Sequence, residues 1–342
     1  MTGSDIFASY PPLFRPMEKL SESDSDPGPD SFDSDSLPVI DLESLNPGYL
    51  TQVCREWGMF RLTKHGVPTE LLTELHDHAN KVFSESFESK QRLPTTPMLY
   101  FWGSPAITMS GNAKQTGPSP SAHQVNWLEG FNVPLAKISH FHYQDPLLES
   151  FRSLLEEYGA HQTRVAKAIF NTMAGELNFP PEKSASYLWL PTGILRVYRY
   201  LRCPVPEQRW GVSEHTDSSV LSIIHQDQVG GLQVFKNNQW LDVKPIHDSL
   251  IVNLGDMMQA MSNDEYVSVR HRVKVKKEKE RISMGYFVFP AEDAVIESSK
   301  YKPFTYTDFQ EEKELDLKTV GMKIGLPRFR KEQSASHHHR LL

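Results

Sequence analysis

The stretch VSVRHRVKV (residues 267–275) decides the fold. Side chains alternate across an extended chain, so Val269, His271, Val273 and Val275 share one face. Ser268, Arg270, Arg272 and Lys274 share the other, which must be wet, so the valine face points inward. His271 is then a polar residue in an apolar row. A core histidine bonded to a backbone carbonyl would give the same pattern. The next strand, RISMGYFVF (residues 281–289), is mostly apolar on both faces and reads as buried on both sides. Further out, ILRVYRYL, SVLSIIHQ, GGLQVF, QWLDVKP and SLIVNLG also read as strands. Turn residues such as Gly230-Gly231, Asn237-Asn238 and Asn263-Asp264 separate them. Many short strands at this spacing predict a sandwich or barrel.

The segments before this β-rich stretch are helical. Leu50, Val53, Cys54 and Trp57 lie at helical spacing before Gly58. Leu71, Leu72, Leu75, Ala79, Val82 and Phe83 form the apolar face of a helix over 68–91, and a longer helix is predicted over 146–177. LPTTPMLYFWGSPAITMSGNAKQTGPSPSAHQ, between them, reads as a loop laid over the core. The predicted fold is mainly β with α, a β-core at about 194–290 wrapped by N-terminal helices. A single domain is expected over 37–328.

The chain has 342 residues and a net charge of −7, which argues against a nucleic-acid partner. The stretch SESDSDPGPDSFDSDS holds much of that charge and too few apolar groups to order itself. Residues 1–36 are therefore expected to form a disordered acidic tail. Residues 329–342, ending in SHHHRLL, are expected to form a flexible one. No apolar run is long enough for a bilayer and no secretory plan opens the chain. Two cysteines, Cys54 and Cys203, make no disulfide framework. A cytosolic or nuclear protein acting on a small molecule is expected, with no membrane and no obligate protein partner.

SEHTDSSV (residues 213–220) sets His215 and Asp217 two apart. On a strand they would share a face; in a polar loop they would mean nothing. With the inward His271 they make a candidate facial triad for non-haem iron, two imidazoles and one carboxylate. Arg281 opens a strand buried on both sides and so needs an anionic partner. Its planar fork fits a carboxylate, and Ser283 faces the same way. An internal Arg–Asp bridge is the alternative.

These residues, in this order, resemble the plant-type 2-oxoglutarate- and Fe(II)-dependent dioxygenases. The resemblance covers about residues 37–328 and includes LPVIDL, WGMFRLTKHGVP, QDQVGGLQV and VNLGDMMQAMSNDEYVSVRHRV. It implies a double-stranded β-helix (jelly-roll) core, with Fe(II) held by His215, Asp217 and His271. It also implies that Arg281, Ser283 and Tyr200 hold the co-substrate 2-oxoglutarate, with O2 consumed and ascorbate as reductant. FWGSPAIT, WLEGFNVPL and IHQDQVGGLQV resemble the gibberellin oxidases, in particular the 2-oxidase group. That likeness implies 2-beta-hydroxylation of a gibberellin, which inactivates the hormone. A flavonoid or alkaloid oxidase, or a hormone-binding protein without turnover, are the alternatives. One departure concerns the substrate. The family usually reads Asn-x-Tyr-Pro-Pro-Cys-Pro where this chain has YRYLRCP, so Tyr198 replaces the asparagine and Leu201-Arg202 the two prolines. Tyr198, Phe101, Trp102, Trp127 and Phe287 are candidate walls for a lipophilic substrate. Arg202 is the candidate cation for a substrate carboxylate, because Arg199 falls on the opposite face of its strand.

Overall fold

The computed structural model describes residues 7–15, 37–94, 96–103 and 125–332. β1 (Val39–Asp41), α1 (Pro47–Glu56), β2 (Met59–Thr63), α2 (Thr69–Ser84) and α3 (Phe87–Gln91) come first. The helix predicted over 68–91 is broken because Ser86 caps a new start, accepting from the Ser89 N–H. β3 (Leu99–Trp102), β4 (Leu128–Pro134), α4 (Leu135–Ile138), α5 (Pro146–Glu176) and α6 (Pro181–Tyr187) follow. Then come β5 (Trp189–Tyr200), β6 (Trp210–His215), β7 (Leu221–Gln226), β8 (Leu232–Lys236), β9 (Gln239–Asp242) and β10 (Leu250–Leu254). α7 (Asp256–Met261), β11 (His271–Lys274), β12 (Arg281–Phe289) and α8 (Tyr306–Thr319) complete the order.

The strands form a large sheet, β1-β2-β10-β7-β12-β5-β4-β3, and a small one, β6-β11-β8-β9. β1 and β2 pair in parallel, and the other ladders are antiparallel. This is the expected jelly-roll core. Every residue of β12 is buried, because one face meets α2 and α5 while the other looks toward the small sheet. Met284, Tyr286 and Val288 belong to the helix-side core, with Leu75, Val82, Val165 and Ile169. Val234, Val273 and Val275 belong to the core between the sheets, with Tyr198 and Ile251. α5 is held by this packing. Each fully buried apolar side chain contributes roughly 1.5–3 kcal/mol, whereas helix propensities differ by up to about 0.7 kcal/mol per residue.

β3 falls in the segment expected to be loop, so that expectation is corrected. It is four residues long and joins the sheet edge through β4. The alternation of β4 is obscured by Glu129 and Asn132, polar residues that are fully buried.

Two short segments within the stretches expected to be loose, residues 7–15 and 329–330, also differ from expectation. Phe7–Ser9 and Pro12–Phe14 form 3-10 turns, and Tyr10 and Phe14 are buried. Phe14 lies against Trp127 at 4.5 Å and edge-on to Trp102 at 5.5 Å. These aromatics anchor the N-terminal turns; the acidic stretch at 21–36 lies outside the described residues. At the other end, Phe329 lies 4.3 Å from the Phe304 ring and Arg330 pairs with Asp264 at 2.9 Å. The chain is therefore still held to the fold at Phe329 and Arg330 and does not loosen at 329. The SHHHRLL end lies outside the described residues.

Under the N-terminal turns sits a buried charge network. Lys90 donates to both oxygens of Glu129 at 2.9 Å and to the carbonyls of Ser9 and Phe83 at 2.8 Å. The Arg199 Nε donates to Glu129 at 2.7 Å, and Tyr100 donates to the same carboxylate. Burial, opposed by the Glu129 charge, pushes Lys90 down to about 8. Removing one partner of a buried ion pair costs roughly 3–5 kcal/mol. Glu129→Gln should accordingly destabilise the fold by about that much, read as a lower denaturation midpoint in urea. A midpoint equal to that of the parent would show that the network is not needed for stability.

Candidate active site

His215 ends β6, and the register of β11 sets His271 directly opposite it. The two ring centroids lie 4.3 Å apart. Asp217 is not on the strand, as same-face alternation would require; it lies in the turn that follows. Hydrogen bonds hold that turn. The Asp256 N–H donates to the Asp217 carbonyl at 2.8 Å. Lys323 donates to the Thr216 carbonyl at 2.6 Å, to its hydroxyl at 2.9 Å and to Asp256 at 2.7 Å. Gly255 sits where any Cβ would collide with the Ser219 carbonyl.

The three side chains present one donor atom each to a common point, all within 4.8 Å of one another. The Asp217 Oδ1 lies 3.5 Å from the His215 Nε2 and 3.9 Å from the His271 Nε2. The rest of the geometry points these atoms inward. The His215 Nδ1 donates to the Ser213 carbonyl at 2.8 Å and the His271 Nδ1 to the Val269 carbonyl at 3.2 Å. Those bonds place each proton on Nδ1 and leave the Nε2 lone pair free. The Asp217 Oδ2 accepts from Ser222 at 2.6 Å and Asn253 at 2.8 Å, so Oδ1 is the free oxygen. Burial, then the neighbouring His215, pushes His271 down to about 4, which keeps it neutral. Burial opposes ionisation of Asp217, but His271, His215 and the Asn253 bond hold its carboxyl well below the usual range. Two neutral imidazoles and one carboxylate on one side of a point are the donor set of a non-haem ferrous site with open positions.

Arg281 and Ser283 lie on the same inner face. The buried Arg281 donates to the Ser283 hydroxyl at 3.1 Å and to the Gln226 Oε1 at 2.9 Å. Its guanidinium stacks 4.6 Å from the Tyr200 ring. The Arg281 Nε and the Gln226 Nε2 are buried without a partner, and no carboxylate is paired with Arg281 among the described residues. Orphaned buried donors around a cation are costly unless an anion completes them. The site therefore fits a bound carboxylate, and the alternative of an internal Arg–Asp bridge is not realised.

Residues 191–290 match the family model of the 2OG-Fe(II) oxygenase superfamily, and residues 37–146 match that of the N-terminal region of non-haem dioxygenases in morphine synthesis. The chain is 35% identical over 319 residues to gibberellin 2-beta-dioxygenase 6 of Oryza sativa subsp. japonica, covering 87% of this chain and 86% of that protein. The chain belongs to the 2OG-Fe(II) oxygenase superfamily. It is a dioxygenase, and Fe(II) and 2-oxoglutarate are its cofactors. The crystal structure of JOX2 with 2OG, Fe and JA is 28% identical, with a TM-score of 0.65 over 80% of this chain and 84% of that one. The rice dioxygenase for auxin oxidation shares the fold at a TM-score of 0.70 and 23% identity, over 86% of this chain and all of that one. No described helix of this oxygenase is long and apolar enough to cross a membrane.

The expected substrate walls divide in two. Tyr198 meets Phe101 edge-on at 5.9 Å on the inner face, and burial pushes its phenol up to about 12. Phe287 shares the inner face of β12 and pairs in register with Ser222, the partner of Asp217. Trp102 does not join them; it lies on the opposite face of β3 from Phe101, against Phe14 and Phe87. Trp127 donates its indole N–H to the Arg202 carbonyl at 3.0 Å and packs on Phe14, so it supports the N-terminal turns. Arg202 lies beyond the end of β5, where its N–H meets the Tyr10 hydroxyl. The cation on the inner face of β5 is Arg196. Arg199 is on the opposite face, as expected, bound to Glu129.

Gln226, Ser222 and Asn253 were not singled out from the sequence. Each follows from alternation, since Ser222, Ile224 and Gln226 share one face of β7, and Ile251 and Asn253 one face of β10. A polar residue on an inward row was the available signal.

Asp217→Ala should remove ferrous-ion binding and abolish turnover while leaving the melting temperature of the metal-free protein within a few degrees of the parent; retained activity would exclude the triad. Arg281→Lys should raise the apparent KM for 2-oxoglutarate by about tenfold or more, since a point charge loses the fork geometry. An unchanged KM would remove Arg281 from the site.

Proposed function

We propose that the chain hydroxylates a gibberellin, with His215, Asp217 and His271 holding the iron and Arg281, Ser283 and Tyr200 receiving 2-oxoglutarate. The observation that carries the site assignment is the convergence of three donor atoms at the ends of β6 and β11, together with a buried Arg281 that no carboxylate among the described residues pairs. The likeness to gibberellin 2-beta-dioxygenase 6 over most of both chains supports the substrate. A second reading, a lipophilic acid of another class, is supported by the likeness to JOX2, whose crystal structure holds JA.

In this reading the overall conversion joins substrate, 2-oxoglutarate and O2 and releases hydroxylated substrate, succinate and CO2. Bound iron supplies the activation of dioxygen toward an unactivated C–H bond. The chain's own work is positioning. Arg281 holds the far carboxylate with directed donors, and Ser283 and Gln226 hold Arg281. Ser222 and Asn253 keep one oxygen of Asp217 occupied and thereby aim the other. Tyr198, Phe101 and Phe287 line the inner face with rings that exclude water from the reacting centre.

Incubation with a panel of C20 and C19 gibberellins, JA, auxin and flavonoids, followed by mass spectrometry, tests the reading. A gibberellin should gain one oxygen atom with equimolar succinate, and omitting 2-oxoglutarate should stop the reaction. Oxygen transfer to JA or a flavonoid alone would replace the gibberellin assignment.

A further inference from the structure

The inner face carries a second cationic site. Arg196 on β5 lies in register with Gly285 of β12 and Asn132 of β4. Gly285 is four residues from Arg281, about 13 Å along the strand at the usual rise per residue. The Arg196 Nε donates to the Asn132 Oδ1 at 3.3 Å, and its guanidinium lies 4.7 Å over the Phe287 ring. The Asn132 Nδ2 is buried without a partner.

A second cation comes from α8. Tyr306 stacks on Phe289 at 4.8 Å, at the far end of the β12 face that begins with Arg281. Gln310 and Lys313 follow at helical spacing on the same side of α8; Gln310 is buried and Lys313 half-buried. Beyond the helix, Lys323 ties the chain to Thr216, beside Asp217, and to Asp256 at the start of α7. Lys313 thus shares the side of α8 that carries Tyr306, and it is near enough to Lys323 and Arg196 for their charges to act on it. Burial first, then the charges of Lys323 and Arg196, push it down to about 7. The nearby carboxylates are engaged elsewhere: Asp256 by Lys323, and Asp217 by Ser222, Asn253 and the imidazoles. Neither Arg196 nor Lys313 forms an ion pair with a carboxylate among the described residues.

We propose that Arg196, Lys313 and the free amide N–H of Asn132 form a second carboxylate site, which takes the acid group of a lipophilic substrate. It rests on the proposed hydroxylation of such an acid, and it is separate from the Arg281–Ser283 site. Arg196 supplies a directed donor, Lys313 a point charge, and Phe287 an apolar floor beneath the carbon skeleton. The cation expected at Arg202 is thereby moved to the inner face of β5, six residues earlier.

The test compares a gibberellin and its methyl ester on the iron- and 2-oxoglutarate-loaded enzyme, with JA, auxin and their methyl esters in parallel. The unmodified enzyme should prefer acid to ester in kcat/KM. Arg196→Met should shrink that preference by about tenfold or more, mainly through KM. Lys313→Met should shrink it less, and Arg196→Lys should restore part of it. An acid-to-ester ratio preserved in both methionine variants overturns the site. If Arg196→Met does not fold, as shown by its melting curve, Lys313→Met decides alone. The two proposals fail differently. Discrimination lost on JA or auxin, with gibberellins untouched, keeps this site and removes the gibberellin reading. Gibberellin turnover with discrimination intact in the methionine variants removes this site and keeps that reading.

Discussion

The register of β11 on β6 is the constraint on which the rest of the site depends. It sets His271 opposite His215 and brings the rings to 4.3 Å. Side chains alternate with a period of two, so a slip of one residue would turn His271 out to the wet face with Arg270 and Arg272. Val269, Val273 and Val275 oppose that slip because all three are buried between the sheets. Core packing therefore holds the geometry of the donor set, and hydrogen bonding refines it. The carbonyls of Ser213 and Val269 choose the tautomer of each imidazole, while Ser222 and Asn253 choose the free oxygen of Asp217.

Two kinds of buried cation meet the large sheet. Lys90 and Arg199, on the helix side, are matched by Glu129 within the chain. Arg281, on the inner side, has only neutral partners, Ser283 and Gln226. Neutral groups orient a guanidinium without cancelling its charge, so the site stays attractive to an anion. A buried cation that the fold completes is costly only when its partner is removed. One that the fold orients with neutral groups alone keeps its charge for an anion from outside the chain. The distinction is invisible in composition, since both kinds are simply basic residues.

Much of the core was legible because its signals are local. Alternation in residues 267–275 placed His271 inward, and the apolar faces of residues 281–289 placed β12 at the centre of the sheet. Arg281 and Ser283 followed from the same alternation. β3 and β4 were not legible, because β3 has four residues and β4 buries Glu129 and Asn132 where a strand pattern wants apolar groups. Those two residues make sense only through partners distant in sequence, Lys90, Arg199 and Arg196. The N-terminal turns were lost for a related reason: Phe7, Tyr10 and Phe14 stand beside a strongly acidic stretch, and composition averaged over the whole segment hides three aromatic anchors. Trp102 was misplaced because its neighbour Phe101 faces inward, and adjacent strand residues cannot both do so.

The N-terminal turns bear on the site through Glu280. This carboxylate directly precedes Arg281 and would be its natural counter-charge. Alternation sends it to the other side of the strand. There the Tyr10 hydroxyl donates to it, and Arg199 lies 3.7 Å away. Tyr10 is fully buried, and its hydroxyl also accepts from the Arg202 N–H. The segment from Phe7 to Arg15 thus helps fix Glu280 away from Arg281. Without that arrangement a flexible carboxylate one residue from the guanidinium could compete with an incoming one. The availability of Arg281 is in this sense set by a tyrosine 271 positions earlier in the chain, through an acid held on the other side of the strand.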